Sequence, residues 1–307
     1  MDQENRIGSA GMLKSIMRLM CLFAMFVFVN DMAGILFGES PGAEIVYDLL
    51  HLLQYASVLI FLVRHKVGLR DLLTGGRKVS LKFMAAALLM GLFTAFLGSR
   101  LDELMPGVPA AESAYSLRHT VFFMIFAGIM APVFEETEFR GLLFQSLKGR
   151  MPVYAAALLS ALMFMVLHTG GILISAFIEG IFSALVFLWT GQLIYAVAIH
   201  FAGNSIPVML LGLSLFLTDG AGDEAAETAA ETGGPWAPET IVSILLPAAA
   251  LLALFIYFYK GTDRRKESGP QAVYEKTDRS VLPYFAFYFA VCIMSTVMQF
   301  LWQAAHA

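Results

Sequence analysis

The chain has 307 residues, of which 58% are hydrophobic and 14% charged, with a formal net charge of −4; soluble globular domains carry roughly 45–50% apolar and 25% charged residues. A soluble two-domain protein is excluded, because the apolar residues come in nearly unbroken runs instead of stripes separated by polar faces. The small acidic balance gives no basic surface for nucleic acid.

A bilayer core ~30 Å thick needs about 20 mostly apolar residues per helical crossing, and the sequence divides into nine candidate spans. In chain order they are Leu19–Phe37, Glu44–Val63, Phe83–Gly98, Thr120–Leu147, Val153–His168, Ile172–Trp189, Leu193–Leu217, Ile241–Tyr259 and Val281–Trp302. The expected fold is all-α, a polytopic transmembrane helical bundle of about nine spans, with eight as the alternative count. Residues 1–118 hold the first three helices and their loops, and 119–217 form a four-helix core. An acidic external loop occupies 218–240, and 241–307 hold the last two helices with a basic loop between them.

Short cytoplasmic loops are enriched in Lys and Arg, and here the basic residues alternate. One side holds Arg6, Lys14 and Arg18; then Arg64, Lys66, Arg70, Arg77, Lys78 and Lys82; then Lys148 and Arg150; then Lys260, Arg264, Arg265, Lys266, Lys276 and Arg279. The other side has Arg100 and Arg118, with Arg140 inside a span, while Glu39, Asp102, Glu103, Glu112, Asp219, Asp223, Glu224, Glu227, Glu231 and Glu239 collect there. The N-terminus is therefore expected to be cytoplasmic and the C-terminus external. The location implied is the cell membrane, as a multi-pass protein of a bacterial inner membrane.

Cys21 and Cys292 lie inside apolar spans, where a thiol behaves as a small hydrophobe. No Cys spacing suits a metal or a disulfide framework. The first apolar run is expected to stay on the chain, since Asn30 and Asp31 follow it without an A-x-A cleavage site. No internal repeat is visible.

An ionisable side chain within a span costs ~2.5–3.5 kcal/mol on insertion scales, so each asks for an explanation. Asp31, Asp48 and His51 fall in the outer halves of the first two spans, where the interface is expected to solvate them. The fourth span differs, because Glu135-Glu136-Thr137-Glu138-Phe139-Arg140 interrupts an apolar run that resumes at Leu142-Leu143-Phe144. Glu136 and Arg140 share a helical face at i,i+4 spacing, acid first. Glu135 lies about 100° round the helix without a cation at that spacing and is expected to face a cavity. Pro132 removes a helical donor just upstream and is expected to kink the helix. If the helix instead ended at Val133, these charges would be a solvated loop.

Two further pairs have i,i+4 spacing: Phe164 with His168, and His200 with Asn204. At ~1.5 Å per residue, His200, Glu135 and His168 lie about 10, 18 and 22 Å from the inner ends of their spans. These depths agree only roughly and are compatible with one intramembrane site. A carboxylate and an imidazole there can activate a water, the carboxylate taking its proton. A second imidazole and an amide N–H suit the oxyanion formed when that water attacks a carbonyl. Together they describe peptide hydrolysis without a covalent intermediate.

The motifs Glu135-Glu136-x-x-x-Arg140, Phe164-x-x-x-His168 and His200-x-x-x-Asn204, in this order and with the ending Phe139-Arg140-Gly141, resemble those of the type II CAAX-processing family of intramembrane endopeptidases. That family (CPBP) also includes bacterial Abi and bacteriocin-immunity-related members. The likeness covers about Phe122 to Pro207, including Gly180 and the turn Thr190-Gly191-Gln192-Leu193. It implies that Glu135 and His168 activate the water, that His200 and Asn204 form the oxyanion site, and that Glu136, Arg140 and Phe164 support them. The substrate implied is a membrane-associated peptide or protein, with the lipid bilayer as surroundings, and no cofactor is expected. Glu138 departs from the family, which is usually apolar there. Three residues from Glu135, it would disturb the general base by like-charge repulsion unless it is neutral or turns to a polar interface. Glu179 is read as hydrogen-bonded to a neighbouring helix, near the packing pair Gly180 and Ala184, in preference to a substrate-site role.

Three alternatives compete. Glu135, His168 and His200 are chemically a His2Glu set of the kind catalytic zinc uses, though no H-E-x-x-H is present. A non-catalytic scaffold or bacteriocin-immunity protein would keep the polar core for packing alone. A transporter would show matching halves with broken helices, which the sequence lacks. The strings Tyr47-Asp48 and Gly220-Ala221-Gly222-Asp223 match a presenilin-like pattern, but Asp223 falls in the acidic loop.

Overall fold

The computed structural model describes residues 10–38, 40–104, 124–168, 172–217, 238–262 and 279–306. Among the described residues there is no strand; the elements are helices joined by short turns. They are α1 (Ala10–Phe37), α2 (Pro41–Arg64), the short α3 (Leu69–Thr74) and α4 (Leu81–Glu103), followed by a stretch that changes pitch. That stretch runs through π1 (Met124–Met130), α5 (Ala131–Glu136), π2 (Thr137–Phe144) and α6 (Gln145–Lys148). Then come α7 (Val153–Leu167), α8 (Leu173–Thr190), α9 (Leu193–Leu217), α10 (Pro238–Gly261), a 3₁₀ turn (Arg279–Val281) and α11 (Leu282–His306). Most of the acidic connection, 218–237, lies outside the described residues. So do Arg6, Glu39, Glu112, Arg118, Arg264, Arg265, Lys266 and Lys276.

Each expected span thus has helix at its position, and among the described residues six helices are long and apolar enough to cross a membrane: Gly11–Phe37, Ile45–Arg64, Leu81–Glu103, Leu173–Thr190, Pro238–Gly261 and Arg279–Trp302. The three expected spans outside this set belong to the core. Val153–Leu167 is apolar but shorter, Leu193–Leu217 has the length of a crossing with 25 residues, and Met124–Lys148 carries the charges. The physical reason is shielding: a helix walled in by others can be shorter or more polar than one facing lipid. The first helix also begins earlier than its apolar run, because Leu13, Ile16 and Met17 are buried while Arg18 reaches out to the Tyr284 hydroxyl at 3.1 Å.

The larger core cluster joins α1, π2, α7, α8, α9 and α11 through residues such as Ile16, Phe23, Phe139, Phe144, Phe164 and Tyr288. A second cluster packs α4 against α8, α9 and α10 through Met90, Val186, Tyr195, Ile199 and Phe258. At one end of the bundle the α8–α9 turn is buried under the basic loop. Arg77 donates to the Thr190 carbonyl at 2.9 Å, and Gln192 Nε2 donates to the Thr74 carbonyl at 3.0 Å. Gly75 and Gly191 meet there in left-handed conformation, φ 57° and 63°, and a Cβ on Gly75 would come within 2.6 Å of the Gly191 oxygen. Only glycine meets both conditions. At the opposite end α8 starts without a cap of its own, and Asp102 of α4 supplies one. Its carboxylate accepts from the Ile174 and Ser175 N–H groups at 2.8 and 3.0 Å, as well as from the Ser175 hydroxyl.

Asp31, expected to be solvated by the interface, instead accepts a hydrogen bond from the Ser295 hydroxyl of α11. Asp48 is buried. Both outcomes follow from helix packing that reaches further toward the membrane surface than apolar runs alone suggest.

Candidate active site

The interrupted helix supplies the carboxylates. Glu136, Thr137, Glu138, Phe139 and Arg140 are all fully buried, which removes the solvated-loop reading. Pro132 has no N–H for the Gly128 carbonyl, the α-helical partner four residues back. Around it three successive carbonyls are taken by side chains of neighbouring helices. Tyr55 donates to Phe126 O (3.3 Å), Asn204 to Ala127 O (2.8 Å) and Ser205 to Gly128 O (3.0 Å). On the far side of the charges, Ser160 donates to Phe139 O in π2 at 2.9 Å. A helix that changes pitch three times within the protein is stable because neighbours satisfy its backbone, and π segments concentrate at functional sites.

Glu136 and Arg140 pair as their spacing predicts, with Nη1 to Oε1 at 2.9 Å. The same Oε1 lies 3.2 Å from Nδ1 of His200. Arg140 stacks on Phe164, its Cζ 4.4 Å from the ring centroid. It fits because position 180 is glycine, where a Cβ would come within 2.9 Å of Nη2. Phe164 also fixes His168: the Phe164 carbonyl, which can only accept, lies 2.8 Å from Nδ1, so that nitrogen carries the proton and Nε2 is turned outward.

Glu135 stands between the two imidazoles. Its Oε2 is 4.0 Å from Nε2 of His168 and 3.9 Å from Nε2 of His200. These gaps are too long for direct hydrogen bonds and are of the size a bridging water fills. A water at roughly 2.8 Å from each of two atoms so spaced subtends about a right angle, an acceptable geometry. The α8–α9 turn is itself covered, with Leu193 and Tyr195 fully buried, so the start of α9 does not mark a surface from which the depth of His200 can be counted.

Two cavities meet here. The first, about 370 Å³, is lined by Glu135, His168, His200 and Asn204 together with Tyr47, His51, Gln54 and Tyr55 of α2. The second, about 270 Å³, shares His168, Ile172, His200 and Asn204 and adds Glu179 with Ser99, Ser175 and Ala176. All seven expected site residues, Glu135, Glu136, Arg140, Phe164, His168, His200 and Asn204, are thus gathered around the two imidazoles. Sequence reasoning missed the α2 wall and placed His51 at the interface. The available signal was Tyr47, His51 and Tyr55 at i,i+4 spacing on one helix face. Glu179, expected to meet a neighbouring helix, has its Oε1 3.4 Å from Nδ1 of His200 on α9. Glu138 is fully buried, not at a polar interface, and neither carboxyl oxygen has a hydrogen-bond partner.

For a metal, the group among the described residues whose ligand atoms lie within 4.8 Å of one another is Glu136, Glu179 and His200. That set differs from the expected Glu135, His168 and His200. It fits a divalent cation poorly, because the Arg140 guanidinium is already on Glu136.

An all-helical membrane protein with carboxylates and imidazoles converging on a buried cavity has the makeup of an intramembrane hydrolase. Residues 117–206 match the family model described as Type II CAAX prenyl endopeptidase Rce1-like. The match covers the segment that carries all three motifs, so this part of the chain is CAAX-protease-like and the activity implied is proteolysis. No curated protein and no solved structure matches the chain.

Proposed function

We propose that the protein is an intramembrane endopeptidase that hydrolyses a peptide bond of a membrane-associated peptide or protein. The chain crosses a bacterial inner membrane nine times with its N-terminus in the cytoplasm. Glu135 is the general base: with Nε2 of His168 it holds a water in the first cavity and takes one of its protons as the water attacks the substrate carbonyl. His200, through Nε2, and Asn204, through the N–H not committed to Ala127, stabilise the oxyanion. Glu136 orients His200 through Nδ1, and Arg140 on Phe164 balances the charge of Glu136. The observation that carries this reading is Glu135 Oε2 equally near two imidazole Nε2 atoms, at 4.0 and 3.9 Å, in the wall of a cavity of about 370 Å³.

The test compares membrane peptides by proteomics in cells expressing the wild type or Glu135→Ala, His168→Ala and His200→Ala at equal levels. Each variant is expected to accumulate the same uncleaved precursor. Unchanged processing by Glu135→Ala would overturn the mechanism. Zinc at Glu135, His168 and His200 is the competing chemistry, and stoichiometric zinc lost together with activity on chelation would establish it. A scaffold or immunity role predicts instead that all three variants keep full function.

A further inference from the structure

Hydrolysis of an amide produces two charged ends. Water adds across the bond, H₂O + R–CO–NH–R′ → R–COO⁻ + H₃N⁺–R′, so that a C–O bond forms, the C–N bond breaks, and both water protons end on the leaving nitrogen. A site screened from bulk water must accommodate that ammonium, since an isolated ammonium in a low-dielectric interior is costly.

The second cavity has the means. It adjoins the first along His168, Ile172, His200 and Asn204, so a chain whose scissile bond lies at the imidazoles has room on both sides. Apart from the shared imidazoles, its wall carries one acid, Glu179, and is otherwise uncharged, with small residues (Ala95, Ser99, Ser175, Ala176) beside Phe96 and Phe164. Glu179 is 9% exposed, and its Oε1 has no hydrogen bond. Its Oε2 lies over Gly203, where a Cβ would come within 3.0 Å, so glycine there leaves the carboxylate its space. The charge count agrees. Glu135, Glu136 and Glu179 surround His200, while the one arginine at the cluster is already committed to Glu136. The cluster has capacity for one more positive charge, and on the side of the second cavity that capacity is Glu179.

We propose that the second cavity binds the leaving fragment of the cleaved peptide and that the Glu179 carboxylate receives its new amino-terminal ammonium. This rests on the hydrolytic reading of the site. Binding does not need turnover, so it is measured on the full-length Glu135→Gln protein in lipid nanodiscs. The probes are an alanyl dipeptide carrying a C-terminal fluorophore, with a free amino terminus, and the same dipeptide N-acetylated. A charge-assisted hydrogen bond should make the free amine bind at least about tenfold more tightly. Adding Glu179→Gln should abolish the difference between the probes. Ser99→Phe, at an exposed position in the cavity wall, should weaken both probes and provides a second test that leaves the buried cluster untouched. Equal affinity of the two probes, a preference that survives Glu179→Gln, or a stoichiometric divalent metal on Glu179 would overturn the proposal. Amine selectivity without cleavage by the wild type would overturn the hydrolytic reading and leave the ammonium site standing. Cleavage without amine selectivity would overturn the ammonium site alone.

Discussion

The helical stretch Met124–Lys148 and helix α10 both contain a proline, Pro132 and Pro247, yet they solve membrane burial in opposite ways. In α10 the charges sit at the ends, Glu239 and Lys260, and Leu245, Leu246 and Leu252 are more than half exposed along a side that only lipid has to cover. In the other stretch the side chains from Glu136 to Phe144 are buried, three carboxylates and a guanidinium fall within six residues, and the pitch changes three times. The difference shows what each environment demands. Lipid asks only for apolar side chains on a closed backbone, whereas a polar helix inside the bundle needs partners from other helices for both its charges and its freed carbonyls.

Substitutions in the two regions break or sharpen that contrast. Arg140→Met should have the largest effect, about 3–5 kcal/mol of lost stability, because Glu136 is left buried beside a neutral side chain. Thermal unfolding in nanodiscs would show it, and an unchanged midpoint would mean that the pair is not needed for folding. Gly180→Ala should cost about 1–3 kcal/mol by overpacking, since the added carbon meets Arg140 Nη2 at 2.9 Å and Ala161 at 3.1 Å. Glu138→Met should move the other way and stabilise by on the order of 1 kcal/mol, as it removes two buried oxygens without hydrogen bonds. A lower unfolding temperature would reveal a partner for Glu138. Leu246→Ala on the lipid side of α10 should stay within about 0.5 kcal/mol of the wild type by the same measurement.

The helices and the charged cluster were legible in the sequence because both depend on local arithmetic. Runs of about 20 apolar residues mark the outer helices, and i,i+4 spacing placed Glu136 on Arg140 even though the pitch changes at Thr137 directly after the acid. Properties set by other helices were not legible. Asn204 reads as an oxyanion donor, yet one of its N–H groups is spent on Ala127 O, a carbonyl that an unbroken α-helix would have kept for itself. Glu179 lies on α8 and His200 on α9, and nothing in the spacing of either helix says that they face each other. The depth of His200 depends on a turn buried beneath a distant loop. Pro132 was the one local sign of the irregular backbone, and it announced a kink without giving its form.

That buried turn makes the order of synthesis matter. Residues 74–77, one half of the contact, emerge from the ribosome more than a hundred residues before the other half at 190–192. Until α8 and α9 are threaded, the basic loop has nothing to grip, and His200 has no fixed height relative to Glu135. Arg77, one of the basic residues of that loop, therefore becomes at the end of synthesis a latch on the turn that opens the helix of His200.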